Sequence, residues 1–253
     1  MDLSEIPAVG GRRHPWEVSR FRFFAGVLRR AGLLAKPLRV LDVGAGDGWF
    51  ARELHGRLPP GSRTVCWDAA YTDADLERMR ADGDVGVDCT RSRPTGTFDL
   101  VTMLDVLEHV EHDVPFLASV VAEHVGPQSW ALVSVPAWMS LYCDRDRALR
   151  HFRRYSRAGF ADLLTGAGLV LRTRGGAFHS GVLPRFLTAT RERVRPTPHA
   201  SAGPLHHELT WDHGRLMTGA CVTALRMDNA VSSAAARLRL PVPGLTEWAL
   251  CRR

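Results

Sequence analysis

Apolar positions along this chain fall into short runs separated by stretches of helical spacing. Residues 15–34 (PWEVSRFRFFAGVLRRAGLL) open on Pro15, and Trp16, Phe23, Phe24, Val27, Leu28 and Ala31 recur at helical intervals, predicting an N-terminal helix. Leu38 to Val43 is a short apolar run cut off by a glycine loop, and the next stretch reads as a helix to Arg57. Thr64 to Trp67 predicts a second strand, 73–82 a helix, Val85 to Val87 a third strand and Phe98 to Leu104 a fourth. Val114 to Val125 reads as a helix and Trp130 to Val135 as a fifth strand. Short buried strands alternating with helices predict a parallel sheet covered on both faces.

After Pro136 the rhythm changes. Residues 137–155 are aromatic and charged without a clean period, which predicts a loop or lid beyond the sheet edge. Phe160 to Ala167 reads as a helix and Leu169 to Arg174 as a sixth strand. Residues 181–243 predict a Pro/His-rich loop and one long helix, Leu216 to Leu238. On that helix Leu216, Ala220, Thr223, Ala224 and Met227 have the spacing of a core or interface face. Thr246 to Cys251 is the expected last strand. One domain results: a helical cap (1–35), a core (36–180), an insertion or lid (181–244) and the closing strand (245–253).

Composition narrows the class. The 253 residues, 45% hydrophobic and 24% charged, suit one α/β domain. No run approaches the ~20 apolar residues of a membrane span, so no integral membrane contact is expected. The first residues lack the basic start and apolar core of a secretory signal. Cys66, Cys89, Cys143, Cys221 and Cys251 lie far apart with no C-x-x-C pair, which argues against a disulfide framework and for the cytoplasm. The net charge of +6 is almost wholly arginine, Lys36 being the one lysine, as in a GC-rich bacterial genome. These arginines are spread along the chain, so the expected role is a solvated basic surface.

The most informative segment is VLDVGAGDGWF, residues 40–50. Gly44, Gly46 and Gly48 stand between a predicted strand and a predicted helix, where residues without a Cβ let a ligand approach the backbone. Asp42 ends the strand, Asp47 opens the helix, and Asp68 ends the next strand, where it can accept bonds from ribose hydroxyls. A dinucleotide fingerprint would need a small third residue at position 49, which is Trp49. Pyrophosphate also avoids nearby carboxylates, whereas an acidic loop suits a cationic sulfonium and ammonium.

On these residues the chain resembles class I methyltransferases dependent on S-adenosylmethionine (SAM). D-x-G-x-G-x-G matches from Asp42 to Gly48, and FDLVTMLDVLEHV (98–110) looks like the strand-four signature of the small-molecule branch. The resemblance implies a Rossmann-like sheet of seven strands, mostly parallel, with the last strand antiparallel. It implies SAM across the strand ends: methionine near Asp42, Gly44, Ala45 and Gly46, ribose at Asp68 and Ala69, and adenine near Asp88 and Cys89. Leu104 and Asp105 would floor the methionine end, and S-adenosylhomocysteine would be the product. Asp88 reads equally as a surface acid, and Asp105 equally as a helix cap.

Candidate chemistry lies after strands four and five. His109 is a candidate base or a scaffold residue at the helix start. The segment CDRDRALRHFRRYS (143–156) resembles a G-H-Y/F-R-R-Y stretch of bacterial methyltransferases, with Arg150 in place of glycine. His151 and Tyr155 from it would enter the acceptor pocket as catalytic groups or anchor the lid, while Arg154 would meet an anionic acceptor. Trp16 and Phe23 are expected to close over SAM. No metal is expected: HHELTWDH (206–213) has no recognised ligand spacing.

The expected function is methylation of O, N or C of a small molecule in bacterial natural-product biosynthesis, by a monomer or homodimer. A lipid or prenyl acceptor met at a membrane surface is the catalytic alternative, given LPRFLTATRERVR (183–195). A non-catalytic SAM-binding module is the other. Nucleic acid is not expected, because Leu104-Asp105-Val106-Leu107 stands where base methylases carry N/D-P-P-Y/F, and no RNA-binding appendage is recognisable.

Overall fold

Seven strands form a single sheet in the order β3-β2-β1-β4-β5-β7-β6. The computed structural model describes residues 13–81, 85–195, 214–238, 240 and 242–253. The strands are β1 (Arg39–Val43), β2 (Arg63–Trp67), β3 (Val87–Thr90), β4 (Phe98–Leu104), β5 (Val125–Pro136), β6 (Val170–Ala177) and β7 (Thr246–Arg252). β1 to β5 pair in parallel, and β7 runs antiparallel between β5 and β6, as expected. The helices described are α1 (Pro15–Arg30), α2 (Trp49–His55), α3 (Asp73–Ala81), α4 (Asp113–His124), α5 (Asp144–Ala148), α6 (Arg157–Gly166), α7 (Val182–Val194) and α8 (Arg215–Arg237).

Alternation along the strands builds two cores. Leu41, Val43, Val101, Met103, Val133 and Val135 face α4 and α6, through Leu117, Val121, Phe160 and Leu164. Val40, Leu100, Leu132, Trp248 and Leu250 face the other way and meet Phe21, Phe24 and Leu28 of α1 with Phe50 and Leu54 of α2. The N-terminal helix is therefore a structural layer. It starts at His14, whose ring accepts the Trp16 N–H at 3.1 Å while Glu17 answers its backbone, and Pro15 sits where no donor is missed.

Three expectations are corrected. The third strand is Val87–Thr90 rather than 85–87: Val85 is 91% exposed and Gly86 turns at φ +90°, so pairing with β2 begins only at Val87. Residues 182–194, not foreseen as helical, form α7. On α8 the buried residues are Val222, Asn229, Ser232 and Ala235, with Leu225 and Ala236 partly buried beside them, and the helix packs towards α1 and β6. Leu216 and Met227, expected on a core or interface face, are 91% and 70% exposed, so that row is not core. The two rows lie around the helix from each other, and tertiary contact with α1 selects the less apolar one. HHELTWDH (206–213) lies outside the described residues.

Phe24 is fully buried against Phe23 and Trp248. Replacing it with Ala should cost about 3–5 kcal/mol in urea unfolding with the slope unchanged. A loss below about 1 kcal/mol would mean that α1 is not part of this core.

Candidate active site

β1 and β4 are neighbours whose chains leave the sheet on the same side, one into the glycine loop and the other into Asp105. Gly44 has φ +65°, and a Cβ there would stand 2.6 Å from Val106 Cγ2, so both conformation and space demand glycine. Gly46 (φ +56°) donates its N–H to Asp68 Oδ2 at 3.0 Å, and Ala70 donates to Asp68 Oδ1 at 2.9 Å. Asp68 is thus fixed beneath the loop with lone pairs remaining for further donors. Ala69 beside it is exposed, Ala45 is buried on Cys66, and Cys89 is half-buried in the same small cluster. Asp88 is exposed on the edge strand β3.

Asp42 is buried and accepts a bond from Thr102 Oγ1, and burial pushes its pKa up to about 6. Asp47 differs from the open anion expected of the loop. Arg13 pairs with it and lies over the Trp49 ring, 5.0 Å from its centroid, while the Trp49 N–H donates to its other oxygen. The segment before α1 therefore answers one of the loop's charges.

Beyond Asp105 lies a cavity of about 330 Å³. Trp16 and Arg20 of α1 form one wall, and Asp105, Glu108 and His109 after β4 form the floor. Asp146, His151 and Arg154 enter from the lid, and Arg185 from α7. Asp105 is held at φ +57°, in the left-handed region. Arg20 Nη2 lies 3.1 Å from its carboxylate, and Ser134 Oγ donates to it at 2.9 Å. Burial opposes the Asp105 charge, but Arg20, Ser134 and His151 outweigh it and hold the carboxyl below its ordinary range. Leu104 is buried in the core immediately before it.

The structure brings His109 and His151 together, their rings edge to face with centroids 4.6 Å apart. The Phe152 N–H donates to Glu108 O at 2.8 Å and ties the lid to the β4 loop. Tyr155 is not brought to the cavity. Its hydroxyl donates to Asp113 Oδ2 at 2.7 Å beside Phe160, and burial with that bond pushes its pKa far up. Arg153 is ion-paired to Asp113 at 2.6 Å. Phe23 packs on Phe24 and Trp248 instead of covering the donor loop, whereas Trp16 does reach the cavity. Arg150, which replaces the glycine of the resembling motif, has φ +56°, the conformation that glycine adopts without strain. Sequence reading missed Arg20, Glu108, Asp146 and Arg185. The segments containing Glu108, Asp146 and Arg185 were visible without singling out those residues, and no local pattern marked Arg20.

Asp146 organises the lid. It is fully buried and accepts from His151 Nδ1 at 3.1 Å, Arg154 Nε at 2.9 Å, Arg185 Nη2 at 3.1 Å and the Cys143 N–H at 2.9 Å. Burial alone would raise its pKa, but the bonds from His151 and Arg154 prevail and hold it well below the usual carboxylate range. Asp146→Asn should therefore lose about 3–5 kcal/mol of stability at neutral pH, because buried guanidiniums would lose their countercharge. With the folded pKa depressed, that contribution is complete above the ordinary carboxylate value of ~3.9 and is lost as pH falls through the folded one. Chemical denaturation at a series of pH values should show the gap between the two proteins closing only in strong acid.

Residues 16–173, well over half the chain, match the family described as a methyltransferase domain. No curated protein matches. A SAM-dependent methyltransferase from Mesorhizobium loti superposes with a TM-score of 0.52 at 18% identity, over 90% of this chain and 96% of its own. A candidate sarcosine dimethylglycine methyltransferase from Galdieria sulphuraria gives 0.57 at 14%, over 93% and 85%. The [4+2]-cyclase SpnF gives 0.50 at 14%, over 86% and 76%, so the same fold also carries other chemistry. At these identities the likenesses speak to fold, and the family match speaks to kinship. The chain belongs to the methyltransferase-domain family and is a SAM-dependent methyltransferase of the class I fold.

Proposed function

We propose that this enzyme methylates an O, N or C atom of a small molecule seated in the cavity beside Asp105. One observation supports this above the rest: the cavity adjoins the donor loop, since Asp105 lines it and the next residue, Val106, packs against Gly44. A volume of about 330 Å³ lies at the small end of ligand sites, ~300–1,000 Å³, and admits no nucleic-acid helix or folded partner.

The residues at the loop fit the donor. Asp42 offers negative charge to the methionine ammonium, Asp68 offers acceptor lone pairs to ribose hydroxyls, and the glycines admit the donor to the backbone. Asp88 and Cys89 on β3 are the proposed adenine side, and Leu104 and Asp105 the proposed floor. When bound, SAM supplies an electrophilic methyl on sulfur. The chain's work is then alignment and the exclusion of water, with Trp16 and the lid closing the acceptor side. The acceptor atom faces the His109–His151 pair, and Tyr155 anchors the lid through Asp113.

A second reading, a lipid or prenyl acceptor, is favoured by Leu183, Phe186 and Leu187. All three are exposed on α7 beside an apolar groove lined by Trp138, Leu141 and Pro243. The described residues include no helix long and apolar enough to cross a membrane, so such contact would be peripheral. Incubation with methyl-labelled SAM, an acceptor pool and liposomes separates the readings. Label in a water-soluble product supports the first, label in the lipid fraction the second, and SAM retained without transfer overturns both.

Donor affinity should also depend on Asp42. With its pKa raised to about 6, its charge is present above that value and lost below it. Calorimetry should find SAM binding weakening as pH falls through about 6. Asp42→Asn should be weaker at neutral pH by up to about tenfold, ~1.4 kcal/mol, and flat across that interval.

A further inference from the structure

Glu108 is the least satisfied titratable side chain of the cavity floor. It is 0% exposed, and neither carboxylate oxygen has a hydrogen-bond partner. Burying a carboxyl without partners costs several kcal/mol, so such a group calls for a cation or a donor. None of the nearby guanidiniums bonds it: Arg20 pairs through Nη2 with Asp105, though its Nε is buried without a partner, and Arg154 bonds Asp146 and the Ala137 carbonyl. Besides Asp105 and Arg20, the carboxyl has imidazole beside it. One ligand atom each from Glu108, His109 and His151 lie within 4.8 Å of one another.

A second, independent feature is the orientation of His151. Its Nδ1–H is held by Asp146, so Nε2 is the nitrogen left with a lone pair for another partner. A histidine bonded through one nitrogen to a buried carboxylate is the usual outer-shell arrangement of a metal ligand. It fixes the tautomer and raises the basicity of the other nitrogen. Asp146 is in turn pinned by Arg154 and Arg185, so the ring is braced at two removes.

We propose that Glu108, His109 and His151 bind a divalent transition-metal ion of the zinc type at the floor of the acceptor cavity. Two imidazoles and one carboxylate favour zinc, cobalt or iron over magnesium and calcium, which prefer all-oxygen shells. Ligands at ~2.0–2.1 Å in a tetrahedron stand ~3.3 Å apart, so the side chains need close by only about 1–2 Å. Three protein ligands leave at least one position open towards the cavity, the pattern of catalytic rather than structural sites. Resting on the methyltransferase reading, the ion's role follows. An acceptor hydroxyl on the open position would release its proton to bulk water. Its oxygen would then form the C–O bond as the C–S bond of SAM breaks, the electron pair staying on sulfur in S-adenosylhomocysteine. The imidazoles are then ligands and not bases.

Binding can be read without any turnover. Tag-free protein, stripped with chelator and dialysed against zinc, should retain about one ion per chain. X-ray absorption at the zinc edge should count two imidazoles, and Co²⁺ should give the intense visible bands of a four- or five-coordinate site. Glu108→Gln, His109→Gln and His151→Gln should each weaken binding by ~100-fold or more, whereas replacing His206, His207 and His213 together should leave it intact. Failure to retain metal, or loss only in the 206–213 variant, overturns the proposal. Should a cavity variant not fold by circular dichroism, the wild-type stoichiometry and imidazole count still decide. The methyl-label assay fails or succeeds separately, so a metal-binding protein without transfer would refute the function and leave the site standing.

Discussion

Strands β1 and β4 pair in parallel from Val40↔Leu100 to Val43↔Met103, and their chains therefore leave the sheet side by side. The one turns into Gly44–Gly48 and the other into Asp105–His109, which creates the crevice at the point where strand order reverses. The donor-side acid Asp42 and the floor residue Asp105 both take their places from that pairing. The loop can lie flat on Val106 because Gly44 carries no Cβ, and Asp105 is aimed sideways by its positive φ. Were β1 and β4 out of register by one residue, Asp42 would exchange faces with Val43 and the donor side would lose its buried acid.

On the acceptor side the governing interaction is charge compensation in a dry place. Six charged or titratable side chains converge within two carboxylate clusters. Arg20 answers Asp105, while His151, Arg154 and Arg185 answer Asp146. These bonds join four separate elements: α1, the loop after β4, the lid and α7. The guanidiniums are largely buried, so displacing one element would leave a buried charge without a partner. That energetic linkage makes the lid part of the domain, although its own sequence has no regular period. The cores on the two faces of the sheet supply the rigid backing that lets so many charges be held at fixed distances.

Much of this was legible in the chain. The alternating short strands and helices, the glycine loop with Asp42 and Asp68, and the β4 run ending at Asp105 are local patterns, and each element appears at or near its expected place. The edge strand β3 slipped by two to three residues because an edge has one neighbour to set its ends. α7 went unread because its exposed apolar residues are mixed with arginines and only one side chain, Ala189, is deeply buried. Tyr155 and His151, four residues apart in one motif, were expected together, but the extended backbone between them sends one to Asp113 and the other to Asp146.

The sequence by itself determined what short-range physics can encode: periodicity sets helix against strand, and glycines with flanking acids set a cation-friendly loop. It also determined kinship, which follows from those same contiguous motifs. Only the tertiary structure decided which face of α8 is buried, that Arg13 answers Asp47, and that the Glu108 carboxyl lies near two imidazoles with no hydrogen bond to its oxygens. The physical reason is separation along the chain. Asp146 and Arg185, or Arg20 and Asp105, are distant in sequence and acquire partners only when the sheet and its covering helices fix where each segment ends.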